Sequence, residues 1–117
     1  MTGSEYNDIG DGMGVKNISA LELAEILKKE EVPVIDIRPA EEFNLKHIPR
    51  SRNVPLEELR YFSERYLIRD RRYYIICDEG KKSVGLCFEL GEKGYDVVNV
   101  LGGITLYNGA LETSPQP

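Results

Sequence analysis

The sequence predicts a single α/β domain with a mostly parallel central sheet and helices on both faces. Segments of strand character alternate with segments of helical periodicity along most of the chain, and this alternation is typical of parallel sheets covered by helices. Two of the strand segments, residues 32–37 and 73–77, are short and almost continuously apolar, as expected of strands that are buried on both faces. With 117 residues and 41% hydrophobic content, the chain can bury one core but not two of ordinary size.

The first half of the chain carries clear start signals for its elements. A strand is predicted at residues 15–18, and Ser19 with Glu22 forms a capping box that opens a helix reaching residue 29. The buried strand at residues 32–37 comes next. Pro39 can occupy the start of a helix over residues 40–45, and residues 53–55 are predicted as a short edge strand.

The second half repeats the alternation. Pro55 precedes a charged helix predicted over residues 56–66, and residues 73–77 are predicted as a central strand. A helix over residues 83–92 follows, and Gly94 suits its left-handed termination. The remaining elements are a strand at residues 97–101, a turn at Gly102 and Gly103, and a last short helix over residues 104–110.

Both ends of the chain lack the pattern of a packed element. Residues 1–14 hold four glycines among polar and acidic residues and are predicted to be a flexible lead-in. Residues 112–117 contain two prolines and no apolar residue, so they are predicted to be a flexible tail. The folded domain is therefore expected to span residues 15–111.

Charge and composition argue against several classes of function. A formal net charge of -5 disfavours binding to nucleic acid or an anionic membrane, because both need clustered basic side chains. The arginines between positions 60 and 72 alternate with acidic residues, which indicates an ion-paired helix face. The chain has no apolar run of membrane-spanning or signal-peptide type, so a soluble, cytoplasmic protein is expected. Two cysteines and one histidine make a poor zinc site, and no metal is expected.

Cys77 ends the predicted central strand and begins the segment that leads into the next helix. In a parallel sheet, ligands bind beyond the carboxyl ends of the strands, and backbone amides at the start of a helix can surround an anion there. Gly80 can adopt the positive φ of a tight loop and Lys82 adds a positive charge, so these surroundings are expected to favour the thiolate of Cys77. Position and composition alone equally allow a buried cysteine that acts only as a small hydrophobe.

Three stretches of the chain resemble the signatures of the rhodanese family, and the resemblance extends from residue 18 to about residue 111. The family's opening signature resembles Asp36-Ile37-Arg38 together with Glu42-Phe43, His47-Ile48 and residues 53–56. Its active-site loop resembles Cys77-x-x-Gly80-x-Lys82-Ser83. Its closing signature, in which the aromatic residue is usually tryptophan, resembles Leu101-Gly102-Gly103-Ile104 with Tyr107. Because the three stretches occur in the family's order and spacing, the resemblance is specific.

The resemblance implies a sulfurtransferase that works without a cofactor. The Cys77 thiolate would take a sulfane sulfur from a small donor or a protein persulfide, hold it as a persulfide, and pass it to a thiol or cyanide acceptor. The loop that would bind the sulfur and its donor consists of Asp78, Glu79, Gly80, Lys81, Lys82 and Ser83. Its amides and the Ser83 hydroxyl would act as hydrogen-bond donors. Asp36 and Arg38 are expected to be supporting scaffold.

The loop also carries features that limit this interpretation. It spans six residues from Cys77 to Lys82, one fewer than in related phosphatases and arsenate reductases, which favours sulfur over phosphate. Lys82 stands where the family commonly has arginine, and the carboxylates of Asp78 and Glu79 should repel thiosulfate, so a persulfide is the expected donor. The alternative is a catalytically silent rhodanese-like module that docks a partner through the charged segment at residues 57–72.

Two further residues have both a chemical and a structural interpretation. His47 could act as a general base, but exchange through a thiolate needs none, so a structural role is expected. Cys87 falls one helical turn after Ser83 and is expected to be a packed thiol rather than a redox partner of Cys77.

Overall fold

Five strands and five α-helices alternate along residues 14–114, the part of the chain that the computed structural model describes. The strands are β1 (Lys16–Ser19), β2 (Val34–Asp36), β3 (Arg52–Asn53), β4 (Arg72–Ile76) and β5 (Asp96–Leu101). The α-helices are α1 (Ala20–Lys29), α2 (Ala40–Leu45), α3 (Leu56–Tyr61), α4 (Lys81–Glu92) and α5 (Gly103–Leu106), and a 3₁₀ helix at Ser63–Arg65 follows α3. Most of the predicted lead-in, residues 1–13, and the end of the predicted tail, residues 115–117, lie outside the described residues. Within residues 14–114, no helix is both long and apolar enough to cross a membrane.

The strands form one parallel sheet in the order β1-β5-β4-β2-β3, with β4 at its centre. This arrangement confirms the predicted fold class. Parallel neighbours need crossover connections, which the intervening helices provide. Because all strands run in the same direction, their carboxyl ends share one edge of the sheet, and Cys77 follows β4 in the middle of that edge.

Two apolar clusters fill the space between the sheet and its helices. Successive residues of β4 point to opposite faces, so Tyr73 and Ile75 belong to one cluster and Tyr74 and Ile76 to the other. The buried leucines of the helices divide in the same way: Leu59 of α3 with Leu86 and Leu90 of α4 on the first face, and Leu23 of α1 on the second. Each fully buried side chain of this size contributes about 1.5–3 kcal/mol to folding. The central strand that leads to Cys77 is thus packed on both faces.

Three helix boundaries differ from the prediction by two residues or more. The helix predicted to reach residue 66 ends at Tyr61, where Phe62 leaves helical geometry (φ -129°, ψ 38°), and a 3₁₀ helix follows. α4 begins at Lys81 rather than at residue 83, directly after Gly80 in a left-handed conformation (φ 87°). The last helix ends at Leu106 rather than at residue 110, because the next residue is extended.

The first residues of the predicted tail are held by backbone hydrogen bonds. His47 and Glu112 exchange two N–H···O bonds of 2.9 Å, and Ser114 N donates to Asn44 O at 3.0 Å. Residues 112–114 therefore differ from the flexible tail that the composition predicts. The physical reason is that backbone pairing with a neighbouring segment needs no apolar side chain.

Asp96 links three strands at the edge of the sheet opposite Cys77. Its carboxylate accepts hydrogen bonds from Lys16 Nζ of β1 at 2.8 Å and from Arg72 Nε of β4 at 3.1 Å. Burial disfavours the charge of Asp96, but the hydrogen bond and charge of Lys16 and the charge of Arg72 outweigh burial and hold its pKa below the usual value.

We expect Asp96→Asn to lower the free energy of unfolding by roughly 1 kcal/mol at neutral pH, because Lys16 and Arg72 each lose one ion-pair contact. The folded-state pKa of Asp96 lies below the unfolded value of about 3.9. The extra stability of the parent protein over Asp96→Asn is therefore fully present at pH values well above about 3.9. It is lost as the pH falls through the folded-state pKa of Asp96. Urea unfolding at a series of pH values measures this difference. A difference that persisted unchanged in strong acid would contradict the assignment.

Candidate active site

Cys77 lies directly after β4, and its loop is joined to α5. The carbonyl oxygen of Cys77 accepts a hydrogen bond from Ile104 N at 2.9 Å, and that of Asp78 accepts one from Thr105 N at 3.0 Å. We call residues 77–83 the cysteine loop. It is anchored by β4 at one end, by α4 at the other, and by α5 from the side, so the position of Cys77 is set by three elements.

Two groups of the cysteine loop contact the Sγ atom of Cys77. Gly80 N donates to it at 3.2 Å, and Ser83 Oγ lies 3.2 Å away. Of the amides expected to surround the sulfur, that of Gly80 makes the contact. The 12-residue helix α4 begins at the next residue, so the positive end of its dipole lies beside the sulfur. Cys77 is 2% exposed, and little of the sulfur therefore meets solvent.

Two glycines allow the cysteine loop to approach the turn that follows β5. A Cβ atom on Gly80, where φ is 87°, would lie 2.8 Å from Gly102 N. A Cβ atom on Gly103, where φ is 54°, would lie 2.3 Å from the carbonyl oxygen of Cys77. Both distances are too short for non-bonded atoms, so each position requires glycine for its space as well as for its positive φ.

The charged side chains of the cysteine loop balance one another. Lys81 Nζ lies 3.7 Å from Glu79 Oε1, and both side chains are largely in solvent. Asp78 is half-buried and Lys82 is exposed, and within residues 14–114 neither makes an ion pair. Two carboxylates and two ammonium groups give the loop a formal side-chain charge of zero. The positive charge of Lys82 is thus offset by the carboxylates of the same loop.

A buried polar network continues from the sulfur into the sheet. Ser83 Oγ donates to Asn99 Oδ1 of β5, and Asn99 Nδ2 donates to Asn17 Oδ1 of β1 at 3.0 Å. Asn17 Nδ2 in turn donates to Val15 O at 3.1 Å. Each of the three side chains belongs to a residue that is at most 2% exposed. Sequence reasoning names Ser83 but misses the two asparagines, although a polar residue inside the apolar run of β5 is a signal that could have indicated Asn99.

Asp36 and Arg38 form a buried ion pair at the carboxyl end of β2. Arg38 Nη2 lies 2.9 Å from Asp36 Oδ2, and Arg38 Nε lies 3.0 Å from Asp36 Oδ1, with both residues buried. Arg38 Nη2 also donates to Lys46 O at 2.7 Å, and Asn53 Nδ2 donates to the backbone carbonyls of both partners. These contacts hold together β2, β3 and the segment after α2, which supports the scaffold role expected for the pair.

His47 and Cys87 are buried in surroundings that support structural roles. His47 stacks on Phe43 with ring centroids 3.9 Å apart, and its ring nitrogens contact Phe43 O at 2.8 Å and Glu112 Oε2 at 3.2 Å. Burial raises the pKa of the Cys87 thiol, and the nearby Cys77 raises it further. Since a protonated thiol is a poor nucleophile, we expect Cys87 to be unreactive.

Fold and site together define a class of α/β domains in which a cysteine begins the loop between the central parallel strand and the following helix. A family model described as the rhodanese-like domain matches residues 19–110, which include each helix of the described residues and all of their sheet except most of β1. The chain belongs to the rhodanese-like family.

Several proteins of similar length resemble this chain. The chain is 34% identical over 105 residues to YtwF of Bacillus subtilis (strain 168), provisionally named a sulfurtransferase, and the match covers 89% of this chain and 99% of YtwF. It is 32% identical over 99 residues to the thiosulfate sulfurtransferase GlpE of Pseudoalteromonas translucida (strain TAC 125), with 84% and 93% covered. The crystal structure of a rhodanese-like domain protein from Staphylococcus aureus superposes with a TM-score of 0.76 at 28% identity, with 85% and 98% covered. The chain is thus similar along most of its length to proteins named as sulfurtransferases.

Proposed function

We propose that this protein is a sulfurtransferase in which Cys77 carries the transferred sulfur as a persulfide. The observation that carries the proposal is the placement of Cys77 Sγ, which accepts a hydrogen bond from Gly80 N at 3.2 Å beside the amino end of α4. The amide and the helix dipole both stabilise an anionic sulfur at that place. The sulfurtransferase names of the relatives support the same class of reaction.

The proposed transfer has two displacement steps at one sulfur atom. The Cys77 thiolate attacks the terminal sulfur of a donor, such as thiosulfate or a persulfide. A new S–S bond forms to Cys77, and the remainder of the donor leaves with the electron pair as sulfite or as a thiolate. A thiolate or cyanide then attacks the outer sulfur, and Cys77 leaves as a thiolate again. Neither step needs an external oxidant or reductant, so no cofactor has to take part.

We propose further that a persulfide is a better donor than thiosulfate. The cysteine loop presents equal numbers of carboxylate and ammonium groups, so a doubly charged anion gains little net attraction there. Glu79 is already paired with Lys81, and Lys82 offers a point charge where a guanidinium would bind two oxygens. Since the relative GlpE is named as a thiosulfate sulfurtransferase, both donors need to be compared directly.

The test is to incubate the reduced protein with thiosulfate and, separately, with a cysteine persulfide, and to measure the intact mass. We expect a gain of one sulfur atom that cyanide removes, that Cys77→Ser abolishes, and that forms faster from the persulfide. Cys87→Ser is the matched control and should keep the adduct, because the raised pKa of the Cys87 thiol leaves it protonated and therefore a poor nucleophile. Equal or faster formation from thiosulfate would contradict the donor preference but not the sulfur transfer.

The second candidate is a catalytically silent docking module, and the low exposure of Cys77 favours it. A sulfur atom that is hardly accessible in the resting structure has to be reached through the cysteine loop. The proposed docking segment is itself ion-paired, since Arg60 contacts Glu89 at 3.0 Å and Glu57 at 3.5 Å, which reduces its value as a binding surface. If the folded, reduced protein formed no adduct with either donor, the docking module would replace the sulfurtransferase.

A further inference from the structure

The direction of the hydrogen bonds in the buried network behind Cys77 is determined at its far end, by Val15 O. A backbone carbonyl can only accept a hydrogen bond, so the contact with Val15 O requires Asn17 to present its Nδ2 group there. Asn17 must then offer Oδ1 to Asn99, and Asn99 must offer Nδ2 to Asn17. The contact of Asn99 Nδ2 with Gly80 O at 3.5 Å agrees with this orientation. Asn99 Oδ1 is therefore the atom that faces Ser83.

The orientation of Asn99 decides which way the Ser83 hydroxyl points. Asn99 Oδ1 has no proton, so the hydrogen of their shared bond comes from Ser83 Oγ. A hydroxyl has a single hydrogen and two lone pairs. With its hydrogen committed to Asn99, Ser83 can only accept from Cys77, and the contact of 3.2 Å between Sγ and Oγ is then a bond from the thiol to the hydroxyl.

We infer that Asn99 is a positioning residue that holds the Ser83 hydroxyl as an acceptor and so favours the neutral thiol of Cys77 in the resting protein. Removing the thiol proton leaves a hydroxyl lone pair facing a negative sulfur. Turning the hydroxyl toward the sulfur instead leaves Asn99 Oδ1 without a donor in a fully buried site, which is unfavourable. This reverses the donor role that the sequence suggests for Ser83. The inference deepens the proposed function, since it concerns the same cysteine.

Other groups around Cys77 also act on its ionisation, and substitutions at Ser83 or Asn99 leave all of them in place. The charged and titratable side chains of the cysteine loop, of α4 and of the end of β2 are Asp78, Glu79, Lys81, Lys82, Cys87, Glu89, Glu92, Asp36 and Arg38. Their contributions are common to the parent protein and to variants of Ser83 or Asn99. A change in the ionisation of Cys77 between those proteins therefore reports on the polar network.

The test is a pH titration of the Cys77 thiolate by its ultraviolet absorbance, with the Cys77→Ser counterpart of each protein subtracted. The subtraction removes the seven tyrosines, and no reagent has to reach the buried sulfur. We expect Ser83→Ala to lower the midpoint of the Cys77 titration by about one pH unit. At a fixed pH this is about a tenfold gain in the ratio of thiolate to thiol. A donor role for Ser83 predicts the opposite sign, so an unchanged or raised midpoint would overturn the inference.

The role of Asn99 is tested by Asn99→Leu, which keeps the size of the side chain and removes its acceptor. We expect a lower midpoint by about one pH unit, because the released hydroxyl can donate to the thiolate. In protein that already carries Ser83→Ala, Asn99→Leu should not move the midpoint further. If Asn99→Leu shifted the midpoint equally with and without Ser83→Ala, the inference would be overturned. If Asn99→Leu does not fold, the sign of the Ser83→Ala shift still decides whether the hydroxyl accepts. The titration needs no sulfur donor, so its result is independent of whether Cys77 transfers sulfur.

Discussion

Gly103→Ala is expected to reduce the rate of persulfide formation on Cys77 by about a hundredfold, since a displacement of about 1 Å at a reacting group costs that much. The added Cβ would lie 2.3 Å from the carbonyl oxygen of Cys77 and 2.5 Å from that of Asp78. Both contacts are with backbone, which cannot rotate away as a side chain can. The cysteine loop or α5 therefore has to move, and the hydrogen bonds that join them at Cys77 O and Asp78 O have to lengthen.

The same substitution should also lower the free energy of unfolding by about 1–3 kcal/mol, because a residue with a side chain is held at positive φ. Intact mass after timed exposure to a cysteine persulfide measures the rate, and urea unfolding measures the stability. Gly91→Ala is the matched control: Gly91 lies in α4, a Cβ there meets nothing within 4 Å, and alanine should stabilise the helix by up to about 1 kcal/mol. Parent-like rates in Gly103→Ala would show that the loop does not depend on this close approach.

Asp36→Asn is expected to destabilise the domain by about 3–5 kcal/mol, which is the usual cost of removing one partner from a buried ion pair. The substitution keeps the size of the side chain but leaves the Arg38 guanidinium buried without a counter-ion. Asp36 Oδ1 also accepts from Arg38 N at 3.0 Å. An asparagine that keeps its oxygen at that position turns its NH2 group toward the guanidinium, which can only donate. A destabilisation of that size is a large share of the 5–15 kcal/mol that stabilises an ordinary domain.

Urea unfolding of Asp36→Asn beside Glu31→Ala provides the comparison. Glu31 pairs with Arg50, but both side chains are more than 70% exposed, and removing an exposed pair changes stability by less than about 1 kcal/mol. If the two variants lost similar stability, burial of the Asp36–Arg38 pair would not be what makes it important. A preserved rate of persulfide formation in folded Asp36→Asn would further support the scaffold role over a catalytic one.

Local signals in the sequence predict the elements that bring Cys77 to the sheet edge. The capping box of Ser19 and Glu22 is formed in the structure, and α2 spans the predicted residues. Gly94 has the predicted left-handed conformation, with φ of 95°. Caps, prolines and apolar periodicity act within a few residues of one another, so they can be recognised without knowledge of the fold.

Contacts between distant parts of the chain decide the details of the site. Asn99 meets Asn17, which lies 82 positions away in the sequence, and Glu112 pairs with His47, which lies 65 positions away. The direction inferred for the Ser83 hydroxyl rests on such contacts, and the residue type alone leaves that direction open because a hydroxyl can donate or accept. The sequence by itself therefore determined the order of the elements and the place of Cys77, since these depend on neighbouring residues. Only the tertiary structure decided how the sulfur is hydrogen-bonded, because that depends on which buried polar groups the folded sheet brings together.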